Sequence, residues 1–279
     1  MYDHWIILDC HSLCHRLFHA VPSLTHEDIE INVVFGFLRD IRSFQNKFMT
    51  RKIVFAWDVG DPLRKQICPS YKLRPVDSDP ETMRGRQILR DQIHKLRTEY
   101  VPVLGYKNNF WADGYEADDV IAAICKSDFT SFHRRSAVIV SSDHDLYQLL
   151  GPNVSIFHPV TKKTVTHRSF QKEWGLHPRK WVDVKAMAGC ISDNIKGIEG
   201  VGEKTAAKYL RGELKKGIVY DRIIRASGIR NANMELVSLP FKGTPKFDLR
   251  EDDATEDKWD ALASSLDMDS LVRKKGSLA

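Results

Sequence analysis

Acidic side chains close the apolar runs of this chain at separated places. Asp9 follows Trp5-Ile-Ile-Leu8, Asp58 follows Ile53-Val-Phe-Ala-Trp57, and Asp143 and Asp145 follow Ala137-Val-Ile-Val-Ser-Ser142. Glu116, Asp118 and Asp119 open a helical pattern just after Gly114, with Glu116 and Asp119 on one face at i, i+3. Each acid taken singly has an ordinary explanation. Acids at a helix start are favoured by ~0.3–1 kcal/mol, and an Asp after a strand is often a turn residue. Together they carry chemistry. In an open parallel sheet, ligands collect beyond the carboxyl ends of the strands. Clustered carboxylates raise one another's pKa unless a cation neutralises them. Oxygen donors without His or Cys select Mg²⁺ or Mn²⁺ over zinc.

A second constellation is Asp193-Asn194-Ile195-Lys196-Gly197-Ile198-Glu199-Gly200-Val201-Gly202-Glu203-Lys204-Thr205, followed by an Ala-rich helical run. A dinucleotide site needs GxGxxG directly after a strand. Here the order is GxxGxG between helical stretches, so a Rossmann cofactor is not expected. The glycines let backbone amides approach an anion, and the following helix start favours phosphate. Lys196, Lys204 and Lys208 add positive charge on or near the turn. A tight corner between helices with solvated lysines accounts for the same residues equally well.

The elements that must position these groups alternate in the first half. Strands are expected at Trp5–Leu8, Ile53–Trp57, Val101–Leu104, Ala137–Val140 and Val154–Phe157. Helices are expected near 31–48, 82–98, 116–126 and 144–150. That alternation predicts an α/β fold with a central, mainly parallel sheet flanked by helices. The stretch Asp61–Glu81 mixes prolines and charge without periodicity and reads as a mobile loop or lid. From about 168 helices dominate, and a last helix is expected at 258–272. The expected division is 1–167 as the α/β core and 168–279 as a helical region ending in an acidic tail.

Composition narrows the class. With 279 residues, 42% of them apolar, the chain is neither largely disordered nor a membrane protein. Its opening, Met1-Tyr2-Asp3-His4-Trp5, lacks the basic segment of a signal peptide. Five cysteines without a CxxC pair predict a reducing, cytoplasmic setting and no structural zinc. Residues 251–279 hold eight acids and four bases, against 38 bases and 29 acids in the rest. A basic body suits a polyanion partner. The acidic stretch 251–269 reads as a solvated tail, with a contact to replication proteins as its alternative.

The segments Gly114-Tyr-Glu-Ala-Asp-Asp119, Ser142-Asp-His-Asp-Leu-Tyr-Gln-Leu149 and Ser192–Thr205 resemble the 5′ nuclease, or flap endonuclease, family. That family includes the 5′-3′ exonuclease domain of bacterial DNA polymerase I and stand-alone phage enzymes. The similarity runs in order from Asp9 to about Leu210. It implies a two-metal hydrolase acting on DNA with free 5′ ends, flaps or nicks, monomeric, in a bacterial or phage-infected cell. Asp9, Asp58, Glu116, Asp118 and Asp119 would hold one Mg²⁺ side of the site, and Asp143, Asp145 and Asp193 the other, with Mn²⁺ able to substitute. The Gly-rich turn, with Lys196, Gly197, Gly200, Gly202, Lys204, Thr205 and Lys208, would be the family's helix-three-turn-helix, gripping duplex phosphates and carrying a K⁺ ion. Tyr71, Lys72 and Arg74 would sit at the base of a helical arch spanning 61–98, a stretch with nine Lys/Arg against five acids.

The chain departs from the family pattern twice. Cys190 stands where the family usually has Asp in Gly-Asp-x-x-Asp-Asn, placing a soft atom on the second-metal side. Arg74 comes one position earlier than in the usual Tyr-Lys-x-x-Arg. Cys190 motivates the alternative reading, a catalytically impaired DNA-structure-binding protein of the same fold. Eight retained carboxylates oppose it, because their mutual repulsion is costly to keep. Without those eight, residues 1–250 hold 38 bases against 21 acids.

Overall fold

The computed structural model describes residues 3–74, 79–130 and 135–272. They form two compact units that interleave along the chain, one built mainly from 58–75 and 111–247 and the other from 4–57, 76–110 and 248–279.

In the second unit the strand Asp3–Asp9 pairs in parallel with Ile53–Ala56, with Ile6 opposite Ile53 and Asp9 opposite Ala56. Ile53–Ala56 pairs in parallel with the short strand Asn109–Phe110. Ile6, Ile7, Ile53, Val54 and Phe55 are fully buried, as continuous apolar runs in a parallel sheet covered on both faces should be. The helix Cys10–Ala20 starts at once, capped by Asp9, whose Oδ1 accepts from Ser12 N at 3.1 Å. The helices Asn32–Phe48 and Pro80–Lys95 are joined by Gln92, whose Oε1 accepts from Val33 N and Val34 N. Gln92 thereby satisfies two of the unpaired amides at that helix start.

In the first unit Arg135–Val140 pairs in parallel with Val154–Phe157, which pairs antiparallel with Thr164–Val165. Ala117–Asp128 precedes these strands, and His167–Trp174, Trp181–Ala188, Glu203–Leu210, Ile218–Arg225 and Ser227–Val237 follow them. From His167 onward the described elements are helical, apart from the short strands Gly189–Cys190 and Ile195–Lys196. Phe170, Trp174, Trp181 and Tyr147 form an aromatic cluster with ring centroids 4.7–6.3 Å apart.

Two expectations change. Val101–Leu104 is not a strand. The helix Pro80–Lys95 runs on through a wide π turn at Leu96–Tyr100 into a helical turn at Val101–Val103. Val-Pro-Val is a short apolar run, which periodicity cannot assign, and Pro102 is tolerated in the first turn. The strand comes later, at Asn109–Phe110. Nor is the acidic tail solvated through 268. Asp252 accepts from Lys107 N at 2.7 Å and Asn108 Nδ2 at 3.1 Å, and the helix Glu256–Ser265 buries Trp259 and Ala263. Glu256 receives a two-pronged Arg42 contact at 2.8 and 2.7 Å and one from Arg51 at 2.5 Å, while the Arg42 guanidinium lies 4.1 Å from the Trp259 ring centre.

Hydrogen bonds from Arg42 hold the Glu256 carboxyl down at about 2. A carboxyl depressed by folding stabilises the fold above its unfolded pKa, and that contribution is lost as pH falls through the folded value. Glu256→Gln is expected to cost about 1 kcal/mol at pH 7, the small value reflecting solvent screening. Urea unfolding of both proteins checks this, and the difference should close as the pH is lowered towards 2.

Candidate active site

Seven of the eight sequence-predicted acids lie in the first unit, and contacts link six of them in series. Asp58 Oδ1 accepts from Ala117 N at 2.6 Å, fixing the start of the helix that bears Glu116, Asp118 and Asp119. Glu116 accepts from Lys72, whose Nζ also stands 3.7 Å from Asp193 Oδ1. Oxygens of Asp145 and Asp193 and the sulfur of Cys190 lie within 4.8 Å of one another. Asp143 Oδ1 accepts from Asp145 N at 2.7 Å. Asp9 belongs to the other unit, at the carboxyl end of its own strand.

The acids differ in what they have left to offer. Asp119 is fully buried. Its Oδ2 accepts from Arg64 Nη1 at 2.6 Å, and its Oδ1 from Arg64 Nη2 at 2.8 Å and Phe241 N at 2.7 Å. Arg64 also donates to Glu116 Oε2 at 2.8 Å and to Leu236 O at 2.8 Å, with its guanidinium 4.7 Å from the Phe241 ring centre. Glu116 Oε2 takes a further bond from the Tyr71 hydroxyl at 2.8 Å. The oxygens of Asp119 and Glu116 are thus engaged by the protein itself. Asp58, Asp118, Asp143 and Asp193 are at least partly solvent-accessible.

Asp145 carries the clearest opening for a cation. Its Oδ1 is buried and meets no donor in hydrogen-bond geometry, although Lys185 Nζ stands 2.8 Å away. Burial and the neighbouring Asp143 charge push Asp145 up to about 6, even with Lys185 opposing. Cys190 is pushed up to about 11, chiefly by burial, so its thiol is neutral near pH 7. It lies 3.0 Å from the Ser192 hydroxyl. The carboxylates of Asp145 and Asp193 offer two hard oxygens that fit a divalent cation, which would compete with Lys185 for Asp145 Oδ1. The Cys190 sulfur adds little for Mg²⁺, and a softer ion such as Zn²⁺ would bind it as the thiolate, with loss of its proton.

The cations hold their charge. Burial lowers the pKa of Lys72, but Glu116 and Asp193 more than offset it, so the net shift is upward. Lys185 behaves alike, pushed down by burial and raised further by Asp145 and Glu203. Arg64 and Lys185 were not singled out in the sequence. Arg64 falls in the stretch read as a loop, where the structure has a short helix, Arg64–Ile67. Tyr71, in the same stretch, is a packed aromatic and not a base-stacking surface, buried with Ala186, Ile195, Leu236 and Val237. Arg74 is exposed. Of the arch expected at 61–98, residues 75–78 lie outside the described residues.

The glycines of the second constellation divide into two kinds. A Cβ on Gly197 would lie 2.0 Å from Ala188 O, and one on Gly189 2.4 Å from Gly197 N. These two permit the hairpin of Gly189–Cys190 and Ile195–Lys196, whose turn carries Asp193. Gly200 has φ +78°, and Gly202 faces open space at the start of the helix Glu203–Leu210. Lys196, Lys204 and Lys208 are exposed, and Thr205 is half-buried.

Comparison with known proteins places this arrangement. Residues 4–175 match the family described as 5′-3′ exonuclease, N-terminal resolvase-like domain. The chain is 35% identical over 210 residues to a 5′-3′ exonuclease of Aquifex aeolicus, covering 74% of this chain and 68% of that one. It is 30% identical over 209 residues to the thermostable DNA polymerase I of Thermus thermophilus, covering 74% of this chain and 24% of the polymerase. The chain therefore spans about a quarter of the polymerases it matches. Among solved structures, a T5 protein co-crystallised with metal ions shares the fold with a TM-score of 0.72 at 18% identity, over 97% of both chains. A T5 flap endonuclease captured with DNA and metal ions gives 0.66 at 19% identity, again over 97% of each. The fold is the α/β type with a mainly parallel sheet flanked by helices. The chain belongs to the 5′-3′ exonuclease family.

Two outcomes follow for stability. Arg64→Met strands the buried Asp119 charge and is expected to cost about 3 kcal/mol or more; adding Asp119→Leu should return part of that loss in denaturant unfolding. Gly197→Ala is expected to cost about 2 kcal/mol, because backbone must move, whereas Gly202→Ala should stay within about 0.5 kcal/mol of the parent.

Proposed function

We propose that the chain is a metal-dependent nuclease hydrolysing DNA phosphodiesters near free 5′ ends, as a 5′-3′ exonuclease, a flap endonuclease or both. The observation that carries this reading is the chain of contacts joining six carboxylates, three buried or half-buried cations and Cys190 in one unit of a 5′-3′ exonuclease family member.

Asp143, Asp145 and Asp193 would hold one cation beside Cys190, and Asp58 and Asp118 would hold another next to Glu116. We read the ions as Mg²⁺, with Mn²⁺ able to substitute. Bound there, a divalent cation lowers the pKa of a water and offsets charge on the leaving oxygen. Asp119 serves as scaffold and not as ligand, since Arg64 and backbone take both its oxygens. Lys72 stays charged between Glu116 and Asp193, and would neutralise charge developing on the scissile phosphate. Gly200, Gly202 and the helix start at Glu203, with Lys196, Lys204, Thr205 and Lys208, would take phosphates of duplex DNA, and a K⁺ ion on the carbonyls of that turn belongs to the same reading. Solved T5 and Rad2 structures of this fold contain DNA, which supports DNA as the partner. We place the protein, as a monomer, in the cytoplasm of a bacterial or phage-infected cell, in keeping with its five free cysteines.

The impaired DNA-binding alternative rests on the neutral Cys190 thiol. End-labelled 5′-flap and nicked duplexes, incubated across Mg²⁺ and Mn²⁺ titrations, separate the two. The nuclease reading expects metal-dependent products that Asp143→Ala abolishes, with DNA affinity falling steeply as salt rises. Salt-sensitive binding without products, restored to cleavage by Cys190→Asp, would favour the impaired binder.

Metal binding should also depend on pH. Folding raises the Asp145 pKa to about 6, so its stabilising contribution to the metal-free fold is lost as pH rises through that value. Above it, the carboxylate is free for an ion. The rise in Tm on adding Mn²⁺ is expected to be small at pH 5 and full above pH 7, as checked by thermal unfolding with and without the ion.

A further inference from the structure

The turn that carries Asp193 and the segment that carries Lys72 are fastened by three hydrogen bonds. Lys72 N donates to Asp193 O at 3.0 Å. Asn194 Nδ2 donates to Ser70 O at 3.1 Å and to Leu73 O at 2.5 Å. The amide of Asn194 thus bridges both ends of the four residues Ser70–Leu73, already closed by Leu73 N donating to Ser70 O at 3.1 Å.

This segment needs such a clamp. Lys72 lies in the left-handed region at φ +49°, which for a residue with a Cβ costs roughly 1–2 kcal/mol. On its inner side Tyr71 is anchored in the apolar cluster. On its outer side Leu73 is 63% exposed and Arg74 is exposed too, so packing supplies little restraint there. Asn194 itself sits at φ +57°, a conformation Asn tolerates better than most residues. That geometry aims its side chain back along the neighbouring segment.

We propose that Asn194 is a positioning residue, clamping Ser70–Leu73 so that the Lys72 ammonium is held between Glu116 and Asp193, where it meets the scissile phosphate. The inference rests on the role given to Lys72 above. Asn194 touches no reacting atom and acts only through the lysine.

Asn194→Gly is the informative variant. Glycine keeps the positive φ without strain and removes both donors. Lys72→Met removes the charge while keeping an unbranched stem. In flap cleavage, Asn194→Gly is expected to lower kcat about tenfold with KM nearly unchanged, a loss in keeping with small misplacements of a positioned group. In the Lys72→Met background the same change should cost less than about twofold, because a group acting only through Lys72 has nothing left to position. Equal losses in both backgrounds, or an unchanged kcat in the single variant, would overturn the proposal. Hydrogen exchange of the Lys72 amide in the metal-free protein gives a readout independent of activity: it should quicken in Asn194→Gly, with the unfolding midpoint held close to the parent. If the parent cuts no DNA, the nuclease reading fails. The clamp then stands or falls on exchange alone, and an unchanged Lys72 amide sinks it.

Discussion

Carboxylates crowded into one place repel one another, and the rest of the site depends on their being neutralised. The first unit meets that demand with its own cations. Arg64 is spent on Asp119 and Glu116, Lys72 bridges Glu116 and Asp193, and Lys185 sits between Asp145 and Glu203. Arg64 is suited to the deepest position because its planar fork satisfies a carboxylate in two bonds and stays charged when buried. Removing one member of such a pair is far more damaging than never having built it. The arrangement therefore behaves as a unit.

The same pairing sorts the acids. Where arginine and backbone amides saturate a carboxylate, as at Asp119, it shapes the site and has no lone pairs to give. Where one lysine is shared between two carboxylates, as Lys185 is between Asp145 and Glu203, the carboxylate is engaged less completely. The Cys190 sulfur lies within 4.8 Å of oxygens of Asp145 and Asp193, and burial keeps its thiol neutral near pH 7.

Much of the site could be read from the sequence because strands print themselves plainly: a buried apolar run followed by an acid fixes where that acid emerges. Asp58, Asp143 and Asp145 were legible for that reason, and Glu116, Asp118 and Asp119 through their place at a helix start. Division of labour among them was not. Whether Asp119 is ligand or scaffold depends on Arg64, 55 residues away, in a stretch with no periodicity to announce it. Tyr71 could in principle stack on a base, although packing is the commoner fate of an aromatic, and the tertiary cluster shows it packed. The Gly-rich turn looked uniform, yet Gly197 answers to the backbone of Ala188 while Gly202 answers to nothing nearby. Val101–Leu104 and the acidic tail misled for one common reason. Local composition was ambiguous, and contacts with Arg42, Lys107 and Asn108, or the run-on of a long helix, settled each.

Anomalous diffraction from crystals grown with Mn²⁺ tests most directly whether the engaged and the open acids divide as described. Ion density is expected against Asp145 and Asp193, with further density at Asp58 and Asp118, and the Arg64–Asp119 pair unbroken. An ion bound by Asp119 after release from Arg64, or crystals with no ion against Asp145, would contradict it.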